Sequence, residues 1–409
     1  MDGEISTRCC IAGGGPAGMM LAFLLARMGV EVVVLEKHAD FLRDFRGDTI
    51  HSSTLDVLHE LGLLDEFLKR PHEELRELAG QIGSEMVTVG DFSHVPAYCK
   101  FLALMPQWEF LDFLKQHASR YPGFRLVMEA EVTGLIENNG AVVGARARTP
   151  NGPLDVRAEL VVGADGRRSV VRERAGLTVQ DLGAPMDVLW MKISRRPDDR
   201  GQTFGHFDRG RILVLINRET YWQAAFIIPK GDSDRIRERG LDDFREEIGR
   251  LEPFLSDRVQ ELRDWKDVSL LTVKVDRLTQ WSRPGLLCIG DAAHAMSPIG
   301  GVGINLAIQD AVAAANLLGK PLLRGTPSVD ELQAVQRRRN FPTRATQGLQ
   351  IAIQNNIVKR VLGSTGQLSL PWQLKLLRRF PILRRIPTRI VGVGFRPEHV
   401  RTPEMRQPA

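Results

Sequence analysis

The sequence predicts an α/β protein in which a parallel-sheet domain is interleaved with a mixed or antiparallel sheet, followed by a helical segment at the C-terminus. Three observations support this prediction. The chain opens with a strand, a glycine-rich turn, a helix and a second strand. Its 409 residues exceed what one hydrophobic core usually supports. Between about residue 178 and residue 274, runs such as "RILVLIN" and "YWQAAFIIPKG" are typical of antiparallel strands.

The opening stretch, residues 9–37, carries glycines at a spacing that has a physical meaning. Gly13 permits a tight turn, Gly15 lets a pyrophosphate approach backbone N–H groups at the helix start, and Gly18 lets helix and strand pack closely. Glu36 follows the second strand, at the distance expected of an acid that accepts a hydrogen bond from a ribose hydroxyl. The stretch therefore predicts a dinucleotide site. The alternative is an ordinary βαβ turn with an adventitious glycine pattern.

The elements that follow are predicted from hydrophobic periodicity and from Pro and Gly punctuation. Helices are expected over about 53–69, from Pro106 to Pro122, within 233–263, from the glycine run near 300 to Leu318, and in the region punctuated by Pro371, Pro381 and Pro387. Strands are expected at 125–128, 142–147 and 154–162, with short strands between 75 and 104. We expect those short strands to join the sheet of residues 178–274.

Composition excludes several classes of protein. With 43% hydrophobic and 26% charged residues, the chain has the make-up of an ordinary globular protein, and it contains no uncharged apolar run of about eighteen residues that would predict a transmembrane helix. The apolar N-terminal stretch runs directly into the glycine motif and is interpreted as part of the fold. The four cysteines form no CxxC pair, so neither a redox disulfide nor a metal site is predicted, and a reducing cytoplasm is expected.

Charge is distributed unevenly along the chain. Residues 332–397 contain thirteen Lys or Arg and no Asp or Glu, whereas the whole chain has a net charge of +5, so the remainder carries −8. The stretch "LPWQLKLLRRFPILRRIPTRIV" within this region mixes bulky apolar and basic residues. It is interpreted either as a segment that packs on the body of the protein, the favoured reading, or as a surface for peripheral membrane contact. Nucleic acid is not an expected partner, because no recognised binding fold accompanies the charge.

Two later stretches again place glycines and an acid where a strand meets a loop or a helix. "LVVGADGRRSVVRERAGL" contains Asp165, and "GLLCIGDAAHAMSPIGGVGINLAIQDAVAAANLL" contains Asp291 and the run that starts at Gly300. Ligands of α/β proteins bind at the carboxyl ends of the strands. Both stretches are therefore expected to contribute to the site that begins at Gly13.

Together, the three motifs resemble the class A flavin-dependent monooxygenases, the family that includes para-hydroxybenzoate hydroxylase and the ubiquinone-pathway hydroxylases. The resemblance covers residues 5 to about 320. It implies a Rossmann-type FAD-binding domain, an interleaved mixed or antiparallel β-sheet substrate domain and a C-terminal helical segment. The implied division assigns 1–74, 105–177 and 278–340 to the FAD-binding domain, 75–104 and 178–277 to the substrate domain, and 341–409 to the basic helical segment.

The resemblance also implies roles for individual residues. The residues expected to contact the adenosine half of FAD are Gly13, Gly15, Pro16, Ala17, Gly18, Glu36 and Lys37. Gly290 and Asp291 are expected to contact the ribityl chain. The flavin N1 and O2 are expected to meet the backbone N–H groups of Gly300, Gly301, Val302, Gly303, Ile304 and Asn305. Arg46 and Gln107 are expected beside the cofactor, and Asp165 and Gly166 near both FAD and NAD(P)H. Arg46 and Pro298 are the implied catalytic residues. The run "GGVGIN" departs from the family's GQG pattern but keeps the glycines.

The implied reaction uses NAD(P)H, FAD and O2. Reduced flavin forms a C4a-hydroperoxide that hydroxylates or epoxidises an aromatic, lipophilic or other electron-rich small molecule. Helix N-terminal N–H groups suit this chemistry, since they stabilise negative charge on reduced flavin. Three alternatives remain open: a flavin-dependent halogenase, an NAD(P)H-dependent reductase or dehydrogenase on the same fold, and a non-catalytic FAD-binding sensor or scaffold. The "YWQAAFIIP" run matches the WxWxIP halogenase signature poorly.

Several other residues attract attention without carrying a prediction. His294, His51, His206 and Tyr221 are each interpreted as structural or surface residues. Arg167 and Arg168 either bind a nucleotide phosphate or are solvated, and the sequence does not decide between these. The substrate and the oligomeric state are left open.

Overall fold

The computed structural model describes residues 3–42, 49–199, 201, 203–366, 368 and 370–405. Arg46, one of the two implied catalytic residues, lies outside the described residues. The strands are β1 (Gly3–Ala12), β2 (Val32–Leu35), β3 (Thr49–Ile50), β4 (Glu73–Leu75), β5 (Glu77–Ile82), β6 (Glu85–Asp91), β7 (Leu102–Leu104), β8 (Phe124–Val127), β9 (Glu131–Asn138), β10 (Ala141–Thr149), β11 (Gly152–Gly163), β12 (Val179–Asp181), β13 (Met186–Ser194), β14 (Phe204–Asp208), β15 (Arg211–Asn217), β16 (Tyr221–Pro229), β17 (Ser269–Leu271), β18 (Asp276–Leu278), β19 (Ser282–Arg283), β20 (Leu286–Cys288) and β21 (His294–Ala295).

The helices alternate with these strands in the first half of the chain and dominate its end. They are α1 (Pro16–Arg27), α2 (Ser52–Glu60), α3 (Leu64–Phe67), α4 (Gln107–Ala118), α5 (Val170–Arg174), α6 (Ser233–Arg239), α7 (Leu241–Leu251), α8 (Val302–Arg324), α9 (Val329–Ile353), α10 (Lys359–Leu362), α11 (Trp372–Arg379) and α12 (Arg385–Gly392). A π-helical turn, Gln354–Val358, joins α9 to α10, and a 3₁₀ turn, Pro381–Arg384, joins α11 to α12.

The first sheet brings the predicted motifs to one edge. Its strands run in the order β19-β20-β11-β1-β2-β8, and β20, β11, β1, β2 and β8 are parallel. The residues of β1 and β2 that pair are buried and mostly β-branched or apolar, as expected of strands covered on both faces. Since the strands are parallel, the segments after Ala12, Leu35, Gly163 and Cys288 all emerge at the same edge.

The second sheet combines segments that are distant in the sequence. Its order is β17-β13-β16-β15-β14-β5-β6, in which only the β14–β5 pair is parallel. Strands β5 and β6 therefore join the strands of 186–271, as expected for the short strands between 75 and 104. Strand β7 does not join them; it pairs with β3 and with β4 in a small separate sheet. The predicted fold class, a Rossmann-type domain interleaved with a mixed sheet and followed by helices, is confirmed.

Two predicted helices are interrupted in the structure. The helix expected over 53–69 is divided into α2 and α3 at Gly62, which adopts a φ of +71° that favours glycine and ends a helix. The amphipathic region 233–263 likewise forms α6 and α7 on either side of Gly240, with a φ of +97°, and then 3₁₀ turns. Periodicity alone did not show these breaks, because both glycines lie within otherwise regular apolar patterns.

Helix α8 is the central helix of the fold. It packs against α1 and α9. By length and composition it is apolar enough to cross a membrane, but 67% of its most apolar stretch is buried inside the protein. Its composition is therefore explained by its place in the core.

Candidate cofactor site and cavity

A large cavity opens at the carboxyl edge of the first sheet and extends to the second sheet. Its volume is about 1960 Å³, about twice the upper end of the range for one drug-sized ligand. The predicted site residues that line it are Gly13, Gly15, Pro16, Ala17, Glu36, Lys37, Gln107, Asp165, Gly166, Asp291, Pro298, Gly300, Gly301, Gly303 and Ile304. Gly18, Gly290, Val302 and Asn305 lie behind this lining. The cavity has room for a dinucleotide and a second organic molecule.

The glycine turn has the geometry that its spacing predicts. Gly13 adopts a φ of +104°, and a Cβ there would lie 2.4 Å from the Ala164 carbonyl oxygen. A Cβ on Gly18 would lie 2.0 Å from the Gly13 oxygen, so α1 approaches the turn as closely as only glycine permits. Gly15 differs, because a Cβ there would meet no protein atom within 4 Å. The space in front of Gly15 belongs to the cavity and suits a bound phosphate at the start of α1.

Glu36 is held beside this turn. Its Oε2 accepts a hydrogen bond from the Gly14 N–H at 2.8 Å, and its Oε1 accepts one from the His38 N–H at 3.1 Å. These bonds fix the Glu36 carboxylate between the end of β2 and the glycine turn. A ribose hydroxyl in the cavity would find an acceptor there.

Two loops with acidic residues, which follow the adjacent strands β11 and β20, meet at the cavity. Arg167 Nε lies 3.1 Å from Asp291 Oδ2, and both side chains are about one third exposed. Asp165 is buried; its Oδ2 accepts from the Val171 N–H at 3.1 Å and so caps α5, while its Oδ1 is buried without a partner among the described residues. Burial raises the pKa of Asp165.

Gly290 and Asp291 form a turn that is anchored from behind by a buried charge cluster. The Gly290 N–H donates to Asp310 at 3.1 Å, and the same carboxylate lies 2.5 Å from His294 Nε2 and 2.9 Å from Arg339 Nε. Asp310 and Arg339 are at most 1% exposed. Burial alone would raise the pKa of Asp310, but His294 and Arg339 outweigh it and hold that pKa below its ordinary value. His294 is thus a structural partner of Asp310.

The start of α8 lies at the cavity, where the Gly301 N–H donates to the Pro298 carbonyl oxygen at 3.1 Å. Gly300 and Gly301 adopt φ values of +76° and +62°, and a Cβ on Gly301 would lie 3.0 Å from the Thr49 hydroxyl. Asn305 does not line the cavity; its Oδ1 accepts from the His51 N–H and the Thr54 hydroxyl, each at 2.8 Å. Asn305 therefore fastens α2 to α8, and only the helix terminus itself faces a ligand.

His51 lies buried beneath this helix start. Its Nδ1 donates to the Val391 carbonyl oxygen at 2.6 Å, and burial lowers its pKa from 6.5 to about 4. Since the unfolded chain binds this proton more tightly, the stabilisation is complete above pH 6.5 and is lost as the pH falls towards 4.

We expect the His51 shift to contribute about 3 kcal/mol to the fall in stability across this window. Urea unfolding at several pH values between 6.5 and 4 measures it. In His51→Asn this part of the pH dependence should disappear, whereas His59→Asn, at an exposed site on the same helix, should retain it. An unchanged slope in His51→Asn would show that other groups dominate.

Three glutamines on one face of α9 and the π-helical turn hold the loop that contains Pro298. Gln350 pairs with the Ser297 backbone, accepting from its N–H at 3.1 Å and donating to its carbonyl oxygen at 2.9 Å, and it also donates to the Ile299 carbonyl oxygen. Gln354 donates to the Ser297 hydroxyl at 2.8 Å, and Gln347 donates to the Ala295 carbonyl oxygen at 3.1 Å. All three are buried. Their i, i+3, i+7 spacing was visible in the sequence, but its meaning depends on the loop they meet.

The second sheet provides the apolar wall of the cavity. Met186, Val188 and Trp190 alternate along β13 towards the cavity, while Leu189 and Met191 of the same strand face a separate core. Residues of β15 and β16 alternate in the same way. The far end is closed by the π-helical turn and by Leu374 and Val391 of the C-terminal helices. The sequence analysis did not predict this apolar wall, because the alternation of residues along a strand does not show which face of the sheet lines a cavity.

The remaining candidate residues fall outside the lining found for the described part of the chain. His51, His206 and Tyr221 are not among the residues around the cavity. His206 Nδ1 instead lies 2.7 Å from Glu252 in a buried pair. Over the same described ranges, no group of three or more His, Cys, Asp or Glu is arranged to hold a metal ion.

Comparison with known proteins identifies the ligand that this geometry suits. Residues 6–348 match the family described as "FAD binding domain". The chain is 35% identical to a 6-methylpretetramide 4-monooxygenase of Streptomyces rimosus over 94% of this chain and 92% of that one. It is 24% identical to a para-nitrophenol 4-monooxygenase of a Pseudomonas species, over 81% of this chain and 82% of that protein.

Solved structures share the fold. PqsL, a probable FAD-dependent monooxygenase from Pseudomonas aeruginosa, superposes with a TM-score of 0.74 at 23% identity, covering 87% of this chain and 97% of that one. The anhydrotetracycline hydroxylase OxyS of Streptomyces rimosus also gives 0.74, at 24% identity, over 95% of this chain and 76% of its own.

Proposed function

Because this chain belongs to the class A FAD-dependent monooxygenases, we propose that it uses NAD(P)H and O2 to hydroxylate an aromatic small molecule held against the second sheet. The family resemblance predicted from the motifs is confirmed, as are FAD as cofactor and monooxygenase as enzyme class. When bound, FAD supplies the transfer of electrons and the activation of oxygen. The observation that carries the proposal is the shared cavity, which reaches from the glycine turn to an apolar wall.

Different residues of the chain would bind different parts of FAD. The turn at Gly15 would receive the pyrophosphate, Glu36 would accept from the adenosine ribose, and Asp291 would accept from the ribityl chain. Arg167, which is paired with Asp291, would supply positive charge next to the phosphates. The fit is supported by the open space at Gly15, which belongs to the cavity.

The flavin ring would lie between the start of α8 and the Pro298 loop. Helix N-terminal N–H groups favour negative charge on the reduced ring, and they need no side chain to do so. The glutamines of α9 would fix the distance of the Pro298 loop from the ring. The apolar wall would exclude water from the reacting atoms and orient the substrate by contact with Trp190.

The volume of the cavity favours a large, mostly apolar substrate. Relatives are named for a pretetramide, an anhydrotetracycline and a nitrophenol. We propose a polycyclic aromatic substrate, because the space beyond the FAD position is lined by the apolar faces of β13, β15 and β16 and exceeds what a single ring would fill.

The proposal is tested by following the flavin spectrum of the purified protein. Anaerobic addition of NADH or NADPH should bleach the flavin, and readmission of oxygen in a stopped-flow instrument should give a transient absorbance before reoxidation. With a polycyclic phenol present, product should contain one oxygen atom from labelled O2. Reoxidation with stoichiometric hydrogen peroxide and no labelled product with any of a panel of aromatics would favour the reductase alternative. Flavin that NAD(P)H does not reduce would favour the sensor alternative.

One variant addresses the role of the α9 glutamines. Gln350→Leu leaves three backbone groups of the Pro298 loop without partners, so we expect about 3 kcal/mol of destabilisation and a shifted visible spectrum of the bound flavin. Gln333→Leu, at a partly exposed position of the same helix, is the control. Denaturant unfolding and absorption spectroscopy measure the two effects. A stable Gln350→Leu protein with an unaltered spectrum would remove the glutamines from the proposal.

A further inference from the structure

The C-terminal helices present an outer surface that is both apolar and basic. Along α11, the 3₁₀ turn and α12, five bulky apolar side chains are between 40% and 70% exposed; they are Trp372, Leu376, Phe380, Ile382 and Ile386. Exposed basic side chains lie between them, namely Lys375, Arg379, Arg385 and Arg389. We call these nine residues the basic apolar face. The spacing 372, 376, 380 puts the first three apolar residues on one side of α11.

The inner side of these helices is already packed, so the basic apolar face is not needed to attach them. Thr388 and Gly392 lie one turn apart on α12 and contact Gly90 and Phe92 of the region around β6. Arg378 pairs with Glu85 at 2.6 Å. Leu374 and Val391 line the cavity. The segment is thus packed on the body, as the sequence analysis favoured, and it still leaves five large apolar groups outside.

The composition of the basic apolar face indicates which kind of partner it binds. Single scattered apolar residues on a surface need no explanation, but five within fifteen positions form a patch that marks an interaction site. The patch has no acidic residue, since residues 332–397 contain none. Arginine and lysine are attracted to anionic lipid headgroups, and a tryptophan at the edge of such a patch suits the boundary between headgroups and acyl chains.

We propose that the basic apolar face binds the surface of an anionic phospholipid membrane. Helices of eight residues are too short to cross a bilayer, so α11 and α12 would lie in the plane of the headgroups with their apolar side chains inserted. The inference goes beyond the proposed reaction and does not depend on the flavin. It places the substrate end of the cavity, which the same helices close, next to the membrane, where a lipophilic molecule would be concentrated.

Vesicle sedimentation tests the proposal with the full chain. The protein should sediment with vesicles of phosphatidylcholine and phosphatidylglycerol, but not with phosphatidylcholine alone, and salt should weaken binding. Arg379→Glu, Arg385→Glu and Arg389→Glu combined should lower the partition coefficient by about a hundredfold or more. Ile382→Ser with Ile386→Ser should lower it as well. The matched controls are Arg324→Glu with Arg337→Glu and Leu317→Ser with Leu323→Ser, all on exposed positions of α8 or α9.

Fluorescence gives a readout specific to this face. Lipid addition should shift the emission to shorter wavelength, and Trp372→Phe should abolish that shift while the protein still sediments. The proposal is overturned if anionic vesicles do not bind the protein, if neutral vesicles bind it equally, or if the face variants bind as well as their controls. It is also overturned if analytical ultracentrifugation shows a dimer that only the face variants disrupt and no vesicle binding accompanies it, since the face would then join two copies of the chain.

Discussion

Asp310→Ala is expected to destabilise the protein by about 3–5 kcal/mol, because it removes the acid from a buried cluster and leaves cationic groups behind. In the native protein the Asp310 carboxylate contacts His294 Nε2, Arg339 Nε and the Gly290 N–H, and it is fully buried. After the substitution, Arg339 retains the Glu398 carboxylate at 3.2 Å. Glu398 also pairs with Arg338, so one carboxylate would then face two guanidinium groups, and a net positive charge would remain.

Chemical denaturation and thermal unfolding measure this effect. Asp310→Asn should lose less stability than Asp310→Ala, since an amide keeps the shape and one acceptor oxygen. Glu246→Ala removes an exposed carboxylate from an i, i+4 pair with Arg250 and should cost less than about 0.5 kcal/mol. Equal stabilities for Asp310→Ala and Glu246→Ala would contradict the importance assigned to the cluster. The FAD content of Asp310→Ala should also fall, because the Gly290 turn loses its anchor.

Gly15→Val is expected to fold normally and to lose FAD. Gly15 has a φ of −74° and a ψ of −176°, a conformation that valine adopts readily before a proline. The new side chain would enter the open space in front of α1 rather than any protein atom. It would keep the pyrophosphate from two or three backbone N–H groups, a loss equivalent to about a thousandfold in affinity.

Flavin content after dialysis and titration of the apoprotein with FAD measure the change. Gly134→Val on β9 is a matched control, since a Cβ there also meets nothing within 4 Å but lies away from the cavity. The melting temperatures of the two apoproteins should agree closely. A Gly15→Val protein that retains FAD would mean that the cofactor does not approach this turn.

Features that depend on short stretches of sequence were predicted well. The tight turn at Gly13, the close approach at Gly18 and the acid at Glu36 each follow from residues within one βαβ unit, and parallel strand order then brings Asp165 and Asp291 to the same edge. The fold class and the family followed from these motifs. Their contacts with FAD stay predictions, as do the domain boundaries; α9 runs without a break through residue 340, where one boundary was predicted.

Features that depend on which distant segments meet were missed. Gln350 and Ser297 are 53 residues apart, and nothing near either one in the sequence indicates their pairing. The sequence analysis left open whether Arg167 binds a nucleotide phosphate or is solvated. In the structure its guanidinium pairs with Asp291, which belongs to a separate motif. The wall formed by Met186, Val188 and Trp190 has the alternation of any half-buried strand, and only the packing of the sheets identifies the cavity side.

The charge cluster behind the Gly290 turn also joins parts of the chain that are synthesised at different times. Its outermost acid, Glu398, lies 385 residues after Gly13 in the chain and contacts Arg338 and Arg339. Domains fold as their residues leave the ribosome, starting from the N-terminus. The glycine turn can therefore form early in synthesis, whereas the acid that completes the cluster behind the Gly290 turn emerges 385 residues later. A chain that stops before Glu398 would leave Arg338 and Arg339 without that carboxylate.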